Sequence, residues 1–295
     1  MKASDLQLGS PQSMLFKGPF GFGKTLAACS FALEGPVYLS YWDKKRPIEL
    51  LTYFSRFGEK GKRILDNITF DVYASENAGE YLNKMIDLVG DCRYFAIVND
   101  SLTFMTSAAV NWSLNFGKER KLERKMKEII PSWDEYKVET SLVTQCIDLS
   151  RKLPCHVIWT AHPLPTTKVE GAGSSIRVTK VNSLVSYGSK VAGIVPGSFT
   201  EIYHFAQQAN WSADGKGSKR YIAMMDSIGD EFAKSPLLAN THKELDFTDR
   251  LFYEVWKEAI DIAQGKLNIA KGEPTESATD IVNPFEQSQP TKWKV

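Results

Sequence analysis

Cysteine is scarce in this chain: Cys29, Cys92, Cys146 and Cys155 are the only four in 295 residues, and no two share a C-x-x-C spacing. Three of the four lie in apolar segments where a small buried thiol is the usual reading. A reducing, cytoplasmic compartment is expected. Long apolar runs are also missing. No window reaches 18 uninterrupted apolar residues and no apolar stretch follows Met1-Lys2-Ala3-Ser4-Asp5, so neither a membrane span nor a secretory signal is expected. Nor does charge of one sign dominate: 36 Lys and Arg against 35 Asp and Glu leave a formal +1, so nucleic-acid binding would have to come from a local patch.

What is present is an ordinary globular composition, 43% hydrophobic and 24% charged, sufficient for one large core. Short apolar runs at 14–16, 37–39, 68–72, 94–98 and 156–160 alternate with helix-length amphipathic stretches. That rhythm predicts an α/β fold, a mainly parallel central sheet of buried strands joined by flanking helices. Residues 199–205 and 221–225 read as two more strands joined by the turn-like Ser212-Ala213-Asp214-Gly215-Lys216-Gly217, a C-terminal antiparallel hairpin at the sheet edge. A last amphipathic helix is expected over 248–263. One domain over 1–264 follows, and then a polar, proline-containing tail over 265–295 that reads as disordered, its end a candidate protein-binding peptide. Two stretches break the pattern. Residues 117–128 carry six basic and three acidic side chains in twelve, most simply a solvated helix, and the Gly-, Pro-, Ser- and Thr-rich 163–182 reads as a long mobile loop.

Between the run at 14–16 and a helix-like run at 26–33 stands Gly18-Pro19-Phe20-Gly21-Phe22-Gly23-Lys24-Thr25, which fits G-x-x-x-x-G-K-[ST] in strand-loop-helix context. Glycines there let backbone N–H groups wrap phosphates, Lys24 adds a point charge, and Thr25 offers a hydroxyl oxygen to Mg²⁺. The plainer alternative is a glycine-rich turn that happens to contain Lys-Thr. A magnesium site of this kind needs a carboxylate at the end of a neighbouring strand to orient bound waters, and Asp100 ends one; by itself it would serve equally as a cap on the next segment. Aligning an attacking water needs a further acid. Asp43, ending the 37–43 run, is preferred; Glu49 is the second candidate, although Pro47-Ile48-Glu49-Leu50-Leu51 looks like the exposed face of a new helix.

The order glycine motif, strand ending in an acid, apolar strand ending Asp100-Ser101, then Val157-Ile158-Trp159-Thr160-Ala161-His162 before a Gly-rich stretch resembles the RecA-type P-loop ATPase core over about residues 12–260. More narrowly it is similar to phage-encoded single-core AAA-type NTP-binding and single-strand annealing recombinase proteins. The resemblance implies ATP and Mg²⁺ as ligands, ATP hydrolysis, single-stranded DNA as partner in phage recombination, annealing or repair, and a homo-oligomeric ring or filament. It makes His162 a γ-phosphate sensor, and a histidine there could hydrogen-bond a phosphate and change protonation near neutral pH. The family's catalytic acid is usually Glu, one methylene longer than Asp43. The resemblance also turns 163–182 into a DNA-contacting loop with Lys168, Arg177 and Lys180 for backbone phosphates beside one acid, Glu170. Lys118, Arg120, Lys121, Arg124 and Lys125, flanked by Trp112, Phe116 and Trp133, could add charge and stacking. Lys190, Lys219 and Arg220 are its candidates for a cation supplied in trans to a neighbouring subunit. A helicase or translocase motor core, a weakly hydrolysing nucleotide-regulated interaction module and, with a poorer fit, a small-molecule kinase remain as alternatives.

Overall fold

The computed structural model describes residues 10–43, 46–115, 131, 133–170, 177–184, 195–211, 217–226, 233–238 and 240–265. Along them run β1 (Ser13–Lys17), α1 (Lys24–Cys29), β2 (Val37–Tyr41), α2 (Ile48–Phe54), α3 (Gly58–Asp66), β3 (Ile68–Val72), α4 (Ala78–Gly90), β4 (Ala96–Asp100), α5 (Leu102–Asn115) and α6 (Trp133–Ser150). There follow β5 (His156–Ala161), β6 (Pro163–Glu170), β7 (Arg177–Leu184), β8 (Glu201–Trp211), β9 (Gly217–Met224), β10 (Glu244–Asp246) and α7 (Phe252–Ala263). An eight-stranded sheet of order β10-β9-β8-β1-β5-β4-β2-β3 forms the centre. Its strands from β8 to β3 are parallel, and β9 and β10 add antiparallel pairs at one edge. The fold is α/β with a mostly parallel, mixed sheet.

Period-two alternation on the central strands divides the core into two layers. Met14 and Phe16 of β1, Leu39 of β2, Val98 of β4, Ile158 of β5 and Phe205 of β8 pack on one face with residues of α1, α2 and α7. Leu15, Tyr38, Ile97, Val157, Trp159 and Ile202 face the other side with residues of α4, α5 and α6. Strands covered on both faces have to be apolar almost throughout, which is why these runs lack the polar alternation of a half-exposed sheet. The run at 68–72 was expected to be buried in the same way. It is the edge strand instead, with Phe70 44% exposed, because among the described residues only β2 pairs with it. Among the described residues no helix is long and apolar enough to cross a membrane.

The C-terminal hairpin forms as expected, β8 and β9 pairing from His204↔Met224 to Trp211↔Gly217. Helix α7 starts at Phe252, later than the sequence pattern suggested. Thr248 is held before it: its N–H and hydroxyl both donate to Asp246 Oδ1, and its oxygen accepts the Tyr221 N–H. A larger correction concerns 163–170 and 177–182, parts of the stretch expected as a mobile loop, whose middle at 171–176 lies outside the described residues. There β6 and β7 form an eight-rung antiparallel ribbon from Pro163↔Leu184 to Glu170↔Arg177. Threonine and valine recur along both segments and favour the pleated conformation, while Pro163 and Pro165 are tolerated because, among the described residues, no third strand calls on their missing N–H groups. The tail after Gly265 and the 117–128 stretch lie outside the described residues.

His156 at the start of β5 gives the fold a pH dependence. The ring is buried against Phe31, Phe95 and Trp256, and its Nδ1 accepts the Gln12 N–H at 3.2 Å. Burial lowers its pKa to about 4. The unfolded chain, with the ordinary histidine value, therefore takes up this proton first, and the stability tied to the neutral ring is lost as pH falls from about 6.5 towards 4. Urea melts at pH 7 and pH 5 should show wild type losing on the order of 2 kcal/mol more than His156→Gln between the two pH values. Equal slopes for the two proteins would show that this ring is not the titrating group.

Candidate functional site

Parallel pairing brings the C-terminal ends of four strands to one edge, with Lys17 of β1 opposite Ala161 of β5, and Tyr41 of β2 opposite Asp100 of β4. Strand ends of a parallel sheet are where α/β folds place ligands. The 18–25 loop leaves β1 at this edge and turns into α1 through Gly21 and Gly23, whose φ angles of 77° and 84° are ones that side-chain-bearing residues rarely adopt. Beside it lies a cleft of about 280 Å³ lined by the loop and by Tyr41, Asp43, Glu49, Asp100, Ser101, Phe104 and His162.

Lys24 is buried at the floor. Its ammonium donates to the carbonyls of Gly18 (2.7 Å) and Pro19 (2.8 Å) and lies 3.2 Å from His162 Nδ1. Desolvation lowers its pKa to about 8, against the raising effect of the Asp100 charge. The Thr25 hydroxyl donates to Asp100 Oδ2 at 2.8 Å, and that of Thr160 donates to the other carboxylate oxygen. Burial pushes the Asp100 carboxyl up, while these two hydroxyls and Lys24 pull it down. The alternative role for Asp100, capping the next helix, belongs instead to its neighbour: Ser101 Oγ accepts the Phe104 N–H in the first turn of α5.

His162 follows β5 directly, and its N–H donates to Thr103 Oγ1 at 2.9 Å. Phe20, from the glycine loop, stacks on the imidazole at 3.7 Å and 19°, and Phe104 packs edge-on at 6.0 Å. Burial first, and the Lys24 charge second, hold the pKa at about 4. The expectation that this ring titrates near neutral pH is therefore corrected. An ammonium can only donate, so Nδ1 accepts from Lys24 and the ring proton resides on Nε2, leaving a neutral N–H donor.

Both acids considered for water alignment line the cleft. Glu49, in the first turn of α2, is exposed as expected yet turned into the cleft, and its Oε1 accepts the Tyr41 hydroxyl at 3.0 Å. Its charge also reaches Asp100, adding to the upward push on that carboxyl. Asp43 is half-buried two residues past the end of β2. Sequence order could not separate the two because Glu49 comes to the site through the turn of α2 and the tyrosine contact.

Thr25 and Asp100 are the residues that could hold a magnesium ion, a hydroxyl and a carboxylate of the protein that meet at 2.8 Å. Magnesium commonly binds through one or two protein oxygens with waters and substrate phosphates completing its octahedron, which is the arrangement Thr25 and Asp100 allow.

Away from the cleft, Lys180, Lys168 and Arg177 occupy the outer half of the β6–β7 ribbon, opposite Thr167, Thr179 and Glu170. The ribbon extends about 24 Å at the usual rise per residue. Arg220 is engaged by its own chain: it pairs with Asp246 at 2.8 Å and Glu244 at 3.2 Å, and with Lys219 it lines a separate surface depression. Trp112 packs against the core over Gly79 and is not presented for stacking. Lys190, Phe116 and the basic residues from Lys118 to Lys125 lie outside the described residues, as does the side chain of Trp133.

Sequence reasoning missed Thr160, Thr103 and Tyr41, which hold Asp100, His162 and Glu49. Thr160 left a weak signal, a hydroxyl two residues before His162 and therefore on the same side of the strand. Thr103 and Tyr41 left none. No protein-family model and no curated protein matches this chain.

Proposed function

We propose that this protein is a RecA-like P-loop ATPase that binds ATP and Mg²⁺ in the cleft beside the 18–25 loop and hydrolyses ATP in work on single-stranded DNA, in phage recombination, annealing or repair. One observation carries the reading: Lys24, Thr25, Asp100 and His162, from three separate parts of the chain, meet within hydrogen-bonding distance at the strand ends. The strand order supports it as well, since β5, which leads directly into His162, lies between β1 with the glycine loop and β4 with Asp100. A residue placed there can touch both the outer phosphate and the loop lysine.

In this reading Lys24 would exchange its loop carbonyls for phosphate oxygens, Thr25 and Asp100 would hold the magnesium, and the Nε2–H of His162 would be the donor to the outermost phosphate. The bound ion supplies charge neutralisation on the phosphates. Glu49 or Asp43 accepts a hydrogen bond from the attacking water. His162 passes directly into Pro163 of the β6–β7 ribbon, so a change of contact at the phosphate is delivered to the strand pair that carries Lys168, Arg177 and Lys180.

Steady-state ATPase assays with and without single-stranded DNA test the whole reading. Turnover should rise several-fold with DNA, and DNA affinity should depend on ATP and fall steeply with salt. Failure of both to respond would remove the DNA half of the proposal and leave a nucleotide-binding protein. A defined ring whose hydrolysis is tied to movement along a strand would instead favour the motor alternative.

A further inference from the structure

At the end of the sheet opposite the cleft, Cys92 and Cys155 lie with their sulfur atoms 3.5 Å apart although 63 residues separate them. Cys92 follows α4 and is partly exposed; Cys155 is buried just before β5 and forms part of the wall of a surface cleft of about 310 Å³. The backbone between them is already tied, the His156 N–H donating to Phe95 O at 3.1 Å. A covalent bond would bring the sulfurs from 3.5 Å to about 2.05 Å. The two remaining cysteines, Cys29 and Cys146, are buried.

We infer that Cys92 and Cys155 are a modification site, a dithiol that a peroxide converts reversibly into a disulfide. The Cys92 thiolate attacks one peroxide oxygen; the O–O bond breaks, hydroxide departs and is protonated to water, and Cys92 becomes a sulfenic acid. Cys155 sulfur then attacks Cys92 sulfur, the S–O bond breaks, and the Cys155 proton leaves with the hydroxyl as a second water. Two thiols are oxidised and one peroxide is reduced to two waters. Burial and the neighbouring thiol both push the Cys155 thiol up, which makes partly exposed Cys92 the first to react. An external dithiol reverses the bond by exchange.

The bond would close a loop that contains α5 and α6, the segment between the strands ending in Asp100 and leading to His162. Restricting a loop of that length in the unfolded chain should raise Tm by roughly 5–10 °C.

The test uses the full chain treated with hydrogen peroxide, intact mass, non-reducing peptide mapping and thermal melts. Wild type should lose about 2 Da, the mass of the two hydrogens given up, yield one linked peptide pair containing Cys92 and Cys155, melt higher, and revert with dithiothreitol. Cys92→Ser and Cys155→Ser should show neither linkage nor the Tm rise. Linkage through Cys29 or Cys146, oxygen added to Cys92 with no linkage, or a linked wild type that melts no higher would each overturn the inference. The map of the wild-type protein decides the linkage even if a serine variant folds poorly.

Discussion

Lys24→Ala should weaken ATP binding by about a hundredfold or more and abolish measurable hydrolysis, because it removes the point charge that would meet the outer phosphates in a low-dielectric site. The cost of keeping that charge is visible in the structure. Lys24 is buried, its neutralising partner Asp100 is shared with two hydroxyls, and desolvation holds its pKa to about 8. That displacement corresponds to a penalty on the order of 3 kcal/mol on the ammonium relative to the neutral amine. Lys24→Met keeps the apolar stem without the charge, so its Tm without nucleotide should exceed that of wild type by a few degrees. The sign can be checked with pH. The folded pKa lies below the unfolded value, so the burial cost is present in full at neutral pH and disappears as pH rises through about 8 to 10.5, where the lysine is neutral in both states. The advantage of Lys24→Met should shrink over that range. Isothermal titration with ATP and Mg²⁺, together with melts at pH 7 and pH 10, measures both effects. Unchanged ATP affinity in Lys24→Ala would remove the phosphate role from the 18–25 loop.

Glu49→Gln should lower turnover by about 10²–10⁴-fold, with a smaller loss for Asp43→Asn, while both leave ATP affinity within a few-fold of wild type. Both carboxylates line the cleft, but Glu49 has the tyrosine contact: the Tyr41 hydroxyl fixes one oxygen and leaves the other for a water. An acceptor held in place aligns a nucleophile better than one free to rotate, since orientation accounts for much of what such a group contributes. Tyr41→Phe separates holding from chemistry. It should cost part of the Glu49 effect in turnover, and adding it to Glu49→Gln should cost little more, because the two act as one unit. A larger loss in Asp43→Asn than in Glu49→Gln would return the role to the strand-end acid. Equal, small losses in both would mean that neither aligns the water.

How much of this was legible beforehand varied with how local the signal was. The glycine motif and the hairpin β8–β9 follow from nearby residue types: glycines where φ is positive, a turn-forming cluster between two apolar runs. The 163–182 stretch was misread because its glycines and prolines carried more weight than its threonines and valines, and strand pairing depends on a partner that local composition does not name. His162 was found as a strand-end residue, but its electrical state was not. Its low pKa comes from burial beside Lys24, 138 residues away.

The sequence by itself determined that strands and helices alternate, that a glycine loop ending Lys24-Thr25 leaves the first strand, and that acids and a histidine end later strands; these depend on apolar period and glycine chemistry within a few residues. Only the tertiary structure decided that β5 lies between β1 and β4, that Thr25 and Thr160 share Asp100, that Phe20 covers His162, and that Cys92 meets Cys155. Those are choices of strand order and register. They are made by how two apolar layers close over a sheet, and no window of neighbouring residues contains that information.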